Sequence, residues 1–316
     1  MEAAIALGER GRGRTAPNPN VGCVIVSGKA VVGRGWTQPG GRPHAEAMAL
    51  AEAGAAARGA TVYVTLEPCA HASARGPACA DLLAEAQPAR VMVAVRDPDP
   101  RTNGRGLERL RSAGVAVACG DAAEAAARSL AGFLTRQRLG RPWITLKLAV
   151  SIDGRIGLPS GESRWITGED ARAHAHLERA RADMVLVGRG TYESDSPRLD
   201  VRLPGLAQRS PRRALLTRGE APDGWERFGG PGDVFGLTDV NDLLVEGGAA
   251  TASAFLAADL VDRLLIYRAP ILVGAGTAAL GDIGLGALAA AHGRWRPLDT
   301  RLLGSDRLEV YERVRS

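Results

Sequence analysis

His44-Ala45-Glu46, Pro68-Cys69 and Cys79 restrict this chain more than any other feature. A histidine and two thiolates give three ligands of a tetrahedral zinc and leave the fourth position for water, as in a catalytic rather than a closed structural centre. The elements around them follow from hydrophobic pattern: a helix from about His44 to Ala57, a strand over Thr61–Leu66, and a helix from about Pro77 to Glu85. A structural zinc or unrelated buried thiols would use the same residue types. His71, two past Cys69, competes as a ligand, although a loop residue there more naturally faces the pocket.

Zinc lowers the pKa of bound water toward ~7. Glu46, two residues beyond His44 at a helix start, can approach the metal without ligating it and carry a proton from water to a ring nitrogen and a departing amine. His-x-Glu followed by Pro-Cys-x-x-Cys is the zinc deaminase signature. This chain departs from it, with nine residues between Cys69 and Cys79 where the tight form has two.

At 316 residues the chain is long enough for about two domains, and Gly140-Arg141-Pro142 is the natural break between 1–140 and 141–316. The first half reads as helix Glu2–Gly11, a turn at Pro17–Asn20, paired strands Val21–Val26 and Ala30–Trp36, and the three elements above. It continues with strand Arg90–Val95, helix Gly106–Ala113, strand Val115–Ala118 and helix Asp121–Arg138. The second half reads as strand Trp143–Val150, helix Asp170–Arg181, strand Asp183–Val187, and Leu243–Val245 running through Gly247-Gly248 into a helix to about Leu260. Strands near Leu264–Tyr267 and Leu308–Val314 complete it. Both halves are α/β, a sheet covered by helices.

The net charge of +5 comes from an arginine-rich chain whose only lysines are Lys29 and Lys147, and the arginines alternate with acids. With 4% aromatic residues and no cluster of arginines, a channel for a flipped base is not indicated, which sets aside a nucleic-acid deaminase. No apolar run reaches the ~20 residues of a membrane span. Glu2 directly after Met1, with Glu9 and Arg10 closing a short apolar stretch, gives no secretory leader, so a cytoplasmic location is expected.

Pro17-Asn18-Pro19-Asn20-Val21-Gly22, Pro43-His44-Ala45-Glu46 and Thr65-Leu66-Glu67-Pro68-Cys69 resemble the bifunctional riboflavin-biosynthesis deaminase-reductase family, and the wide Cys69 to Cys79 spacing agrees. The resemblance implies a cytidine-deaminase-like, three-layer α/β/α first domain, zinc held by His44, Cys69 and Cys79, and Glu46 as proton shuttle. The substrate would be a phosphorylated pyrimidine, a diaminopyrimidinone ribosylamine phosphate. The amides of Asn18 and Asn20 suit a pyrimidine edge or ribose hydroxyls, with turn stabilisation as the alternative. Arg75 fills the basic place that the family offers to the substrate phosphate. Gly76 stands where the family has threonine, so backbone N–H groups would substitute and weaker phosphate affinity is expected. The chain starts inside the first helix that the resemblance implies.

The second half resembles the reductase module of the same family through Leu146–Ala149, Ser151–Gly154, Gly161–Thr167 and Val245–Gly248. This implies a dihydrofolate-reductase-like α/β domain that uses NADPH and reduces the ribosyl group to ribityl. No Gly-x-Gly-x-x-Gly stands between strand and helix, so the usual Rossmann site is not indicated. The resemblance assigns Ser163, Arg179, Leu199, Arg202 and Glu246 to the substrate. To NADPH it assigns Ala149, Trp165, Thr191, Asp195, the turn from Gly248 to Ala254, and Thr217. Lys147 suggests a place that needs an ammonium, or a lysine at a sheet edge. A homodimer through the second half is expected.

One departure stands out. Only 43 residues separate Arg202 from Glu246, and eleven of them are Gly or Pro. No helix of ~10 residues fits there to cover the sheet. The expectation is a cofactor groove lacking a wall, with a working but trimmed reductase, or a non-catalytic partner domain beside an active deaminase, as its two outcomes.

Overall fold

The apolar run Gly22–Ser27 (β1) turns at Gly28-Lys29 and pairs antiparallel with Ala30–Trp36 (β2), preceded by helix Glu2–Gly8 (α1). These elements begin the first of two units, Met1–Arg141 and Pro142–Ser316, of a computed structural model that describes residues 1–71 and 75–315. The first unit continues through Ala45–Ala53 (α2), Thr61–Leu66 (β3), Cys79–Ala86 (α3), Arg90–Val95 (β4), Arg105–Ser112 (α4), Ala116–Cys119 (β5), Ala123–Ser129 (α5) and Ala131–Leu139 (α6). Its sheet runs β2-β1-β3-β4-β5, antiparallel among the first three strands and parallel from β3 to β5. Val62, Val64, Val91 and Val93 fill the core with Leu83 of α3 and Leu107 and Leu110 of α4. The single helix expected over Asp121–Arg138 is two, because Leu130 leaves the helical region (φ −95°, ψ 9°) while its side chain is buried.

Helix α2 lies against β2 on glycine. Gly33 and Gly35 sit two apart and so share one face of the strand. A Cβ at Gly35 would collide with the Ala45 carbonyl, and one at Gly33 with that of Ala49. Ala45, Ala49 and Ala53, at intervals of four, form the matching helix stripe. Two small-residue rows therefore fix where α2 begins, and with it His44 and Glu46.

The second unit comprises Trp143–Val150 (β6), Arg155–Gly157 (β7), Glu169–Ala180 (α7), Met184–Gly188 (β8), Arg189–Asp195 (α8), Arg212–Leu216 (β9), Trp225–Phe228 (β10), Asp242–Glu246 (β11), Ala249–Ala257 (α9), Arg263–Arg268 (β12), Thr277–Ala278 (β13), Trp295–Leu303 (β14) and Asp306–Arg313 (β15). Eight strands form one sheet in the order β10-β9-β8-β11-β6-β12-β15-β14, and β13 pairs with β7. The sheet is parallel from β10 to β12 and antiparallel from β12 to β14. The chain steps outward from β8 to β10, then returns to insert β11 between β8 and β6. Such a switch opens a crevice at the carboxyl ends of the strands.

The short segment before Glu246 contains no α-helix, in line with its composition, but it is not empty of structure. It supplies β9 and the edge strand β10, and it packs Phe228 and Val234, each at most 3% exposed, onto the core beside Ile144, Leu186 and Leu243. A tight 3-10 turn over Pro231–Gly236 does the covering that a helix was expected to do.

Candidate active sites

In the first unit the ligand set forms at element ends. His44 caps the N-terminus of α2, Cys79 is the first residue of α3, and Cys69 follows β3 after Glu67-Pro68. The partial positive charge of the helix start favours thiolate at Cys79, but the hydrogen bond to Cys69 and burial outweigh it and push the Cys79 thiol up. His44 Nδ1 lies 3.3 Å from Cys79 Sγ and 3.7 Å from Cys69 Sγ, and the three donor atoms all fall within 4.8 Å of one another. Zinc bonds of about 2.3 Å to sulfur and about 2.0 Å to nitrogen would set a tetrahedral N···S edge near 3.5 Å. The two N···S distances bracket that edge, and the donor set fits zinc. Cys69 is pulled down to about 4, chiefly by the Cys79 thiol that donates to it, with the His44 ring adding. His71 stands apart from this cluster, with Nδ1 3.5 Å from Thr102 Oγ1.

Glu46 is 3% exposed. Burial pushes its carboxyl up to about 7; the His44 ring opposes this and Cys69 adds to it. A carboxyl poised near neutrality both accepts and returns a proton. Glu67, quoted above only as part of a motif, anchors the ligand loop. Its carboxylate accepts the N–H groups of Gly106 (3.1 Å), Leu107 (3.3 Å), Gly104 (3.1 Å) and Asp97 (3.3 Å), tying the residue before Pro68-Cys69 to the start of α4.

The other residues expected in this unit divide. The amide nitrogen of Asn18 donates to Gly41 O at 2.7 Å and lies 3.3 Å from His44 Nε2, so Asn18 borders the ligand ring. Asn20 calls for a correction. It is 5% exposed and turns its amide nitrogen to the carbonyls of Ser129 (3.2 Å) and Gly8 (3.4 Å), a packing role that ties α1 to α5. Arg75 is exposed and donates to Gly40 O at 2.8 Å. Gly76, at φ +145°, leaves room for Arg42, whose Nη1 lies 2.9 Å from where a Cβ would stand.

In the second unit a cleft of about 1010 Å³ opens at the carboxyl ends of β6, β8 and β11. Ala149, Ser163, Trp165, Arg179, Thr191, Asp195, Leu199, Arg202, Glu246 and Gly248 all line it, joined by Leu216 from the short segment. Of the segment between Arg202 and Glu246, Leu216 at the end of β9 lines the groove. Thr217 lies just outside this lining, 7% exposed, its hydroxyl accepting from Arg189 Nε (3.1 Å) and Gly219 N (3.1 Å). At the start of α9, Gly248 N donates to Thr191 Oγ1 at 3.1 Å, and no side chain caps the helix. The following amides are left to an anion, as suits the phosphates of a dinucleotide.

Arg179 and Glu246 were both assigned to substrate, and the structure gives them to each other first. Arg179 Nε and Nη2 meet Glu246 Oε1 and Oε2 at 2.5 and 2.9 Å, and Nη1 donates to Asp200 O at 3.2 Å. A bidentate pair of this kind fixes both side chains. Arg202 bonds His176 Nε2 at 3.3 Å. Lys147 is not at an edge, since β6 lies between β11 and β12. It stands opposite Glu246 in register, with Nζ 5.9 Å from the centre of the Tyr267 ring, and burial lowers its pKa against the opposing pull of Glu246.

Comparison with known proteins agrees with this geometry. Residues 1–95 match the model for the cytidine and deoxycytidylate deaminase zinc-binding region, and residues 142–224 and 236–307 match that for the RibD C-terminal domain. The chain is 38% identical to the riboflavin biosynthesis protein RibD of Escherichia coli over 89% of each chain. It is 40% identical to that of Mycobacterium tuberculosis over 98% of this chain and 95% of the relative. Among solved structures, Acinetobacter baumannii RibD superposes with a TM-score of 0.90 at 36% identity, covering 100% of this chain and 98% of the other. A Thermotoga maritima diaminohydroxyphosphoribosylaminopyrimidine deaminase/5-amino-6-(5-phosphoribosylamino)uracil reductase reaches 0.90 at 30% identity, covering 99% and 97%.

Proposed function

The chain belongs to the RibD family of bifunctional riboflavin-biosynthesis enzymes, and from that premise we propose which of its residues carry each reaction. It is a zinc-dependent pyrimidine deaminase and an NADPH-dependent reductase in one polypeptide. Its substrate is the diaminopyrimidinone ribosylamine phosphate, deaminated by residues 1–140 and then reduced from ribosyl to ribityl by residues 141–316. The observation that carries this reading is the convergence of His44, Cys69 and Cys79 beside a buried Glu46 in a chain that also holds a cleft of about 1010 Å³ at the ends of its second sheet.

His44, Cys69 and Cys79 hold the zinc, which when bound supplies a Lewis acid that makes water nucleophilic near neutral pH. Glu46 takes one proton of the attacking water and delivers it to the ring nitrogen, then takes the second from the hydroxyl so added and delivers it to the amine, which leaves as ammonia. Asn18 orients the substrate from beside His44, and Arg75 meets its phosphate. In the second unit NADPH supplies the hydride, and the protein aligns donor and acceptor. Ser163, Leu199 and Arg202 place the substrate, and the Arg179–Glu246 pair holds one wall. Ala149, Trp165, Thr191, Asp195 and the Gly248 turn seat the cofactor.

No helix among the described residues is long and apolar enough to cross a membrane. Cys23, Cys69, Cys79 and Cys119 are free, which suits a reducing compartment, and we place the enzyme in the cytoplasm. We also propose a homodimer through the second unit, because Leu272, Leu288 and Leu302 are 70% or more exposed there and β14 ends the sheet as an open edge. The test of the function is to incubate zinc-loaded protein with the substrate, with and without NADPH, and identify products by mass. Deaminated product without NADPH and ribityl product with it are expected; accumulation of the deaminated species despite NADPH would leave the second unit without its chemistry.

A further inference from the structure

The charge in the reductase cleft is lopsided: seven cationic side chains line it against two carboxylates, Asp195 and Glu246. Most of the cations are occupied. Arg179 forks onto Glu246, Arg164 holds Asp195, Arg172 stacks 4.8 Å over the Trp165 ring, and Arg198 and Arg202 both pair with Asp200. Arg189 differs. Its carboxylate contact is Glu193 at 3.5 Å, on a side chain that is 63% exposed, while its Nε and Nη2 are tied to Thr217 Oγ1 (3.1 Å) and Glu220 O (2.9 Å). The guanidinium is thus held in place from behind, with Nη1 facing an exposed acid one turn along α8.

Its position says what it can read. The unused amides of α9 follow β11, and the lining residues Lys147 and Ala149 belong to β6, on the far side of β11 from β8. A dinucleotide with its phosphates at α9 and its nicotinamide over β6 must send its adenosine half the other way, toward the ends of β8 and β9. Arg189 is the first residue after β8, and Thr217 the first after β9. The loop between them and β10 is stiffened by Arg227, which donates to Gly219 O (2.9 Å) and Arg218 O (3.3 Å). Resting on the reading of this cleft as the NADPH groove, we propose that Arg189 is a specificity-determining residue that binds the 2′-phosphate of the cofactor and so separates NADPH from NADH. An arginine suits the task because its planar fork meets two phosphate oxygens at once.

The experiment is isothermal titration of zinc-loaded, full-length protein with NADP⁺ and with NAD⁺, which differ only in that phosphate. Wild type should bind NADP⁺ the more tightly. Arg189→Ala should lose roughly ten-fold or more of its NADP⁺ affinity, the worth of a charge-assisted phosphate contact, while NAD⁺ binding changes less than about two-fold. Arg189→Lys should keep part of the preference. Equal weakening toward both nucleotides would show that Arg189 only props the Thr217 loop, and would overturn the proposal. So would an unchanged ratio in Arg189→Ala with a collapsed one in Arg218→Ala, which would move the contact to the exposed neighbour. Absence of NADP⁺ binding in wild type would overturn the groove reading itself.

Discussion

The deaminase centre gathers three donor atoms within 4.8 Å of one another, from two helix starts and one strand end. The reductase cleft spreads its working groups over about 1010 Å³ and draws them from β6, α7, the starts of α8 and α9, and the loops between. The difference follows from the chemistry. Hydrolysis at a metal concentrates its demands at a point, so a few side chains must be placed to a fraction of an ångström. Hydride transfer brings its own reactive atom in the cofactor, and the protein has to align two large anionic molecules. A point site fails abruptly when one group is lost, and a distributed site fails by degrees.

The largest effect is therefore expected from Glu46→Gln, which keeps the shape and removes the proton carrier. Deamination should fall by about 10²- to 10⁴-fold, zinc content measured by atomic absorption should stay at wild-type level, and reduction of supplied deaminated substrate should be unaffected. Deamination that persists would take the proton out of Glu46's hands. In the second unit the equivalent single loss is Arg179→Ala. Arg179 and Glu246 are 13% and 10% exposed at their side chains, so removing the arginine strands a nearly buried carboxylate. That should cost about 3 kcal/mol of stability, seen in urea as earlier unfolding of the second unit, with deaminase activity retained in the folded baseline. A neutral result would mean that Glu246 finds Lys147 instead.

How legible each site was in the sequence follows the same division. His44, Glu46, Cys69 and Cys79 could be named from spacing because each sits within a few residues of the element end that aims it. Asn20 could not be sorted from Asn18, since what separates them is a contact with Ser129, more than a hundred residues away. The Arg179–Glu246 fork is likewise a long-range pairing, and sequence offered each residue to the substrate without showing that they bind each other. Strands β3, β4 and β6 were read to the residue because they are buried and apolar. Strand β14 was missed because most of its residues are exposed, so no apolar alternation marks it. The short segment misled for a related reason: Phe228 and Val234 cover the core from a strand and a turn, neither of which leaves a helical pattern.

Placement of α2 can be broken without touching any ligand. Gly35→Ala sets a methyl against the Ala45 carbonyl, and backbone cannot step aside as a side chain can. A loss of about 1–3 kcal/mol is expected, with deamination reduced because His44 and Glu46 ride on the displaced helix start. NADP⁺ affinity in the same protein should not move, and a parallel fall in both would mean that the two units do not respond separately.

The smallest effect is a difference in sign. Burial would raise Glu246, but Arg179 forked against it, with Lys147 and His176 adding, outweighs burial and holds the carboxyl below the ordinary range. A depressed carboxylate contributes stability that is present above the unfolded value of about 4.3 and is lost as pH falls through the folded one. Asp97 in the first unit is the reverse case, pushed up to about 6 mainly by burial, with Asp99 and Glu67 nearby adding. Its contribution is complete below the unfolded value of about 3.9 and disappears as pH rises through about 6. Lowering pH from neutrality should thus relieve the first unit at Asp97 before it weakens the second at Glu246. Protonated Glu246 still accepts from Arg179, so the change should be smaller than that of Arg179→Ala. Hydrogen exchange of β4 and β11 across this range would read the two trends in one molecule. Asp97→Asn should flatten the first and leave the second, whereas a common slope in both strands would assign the pH response to net charge rather than to these carboxyls.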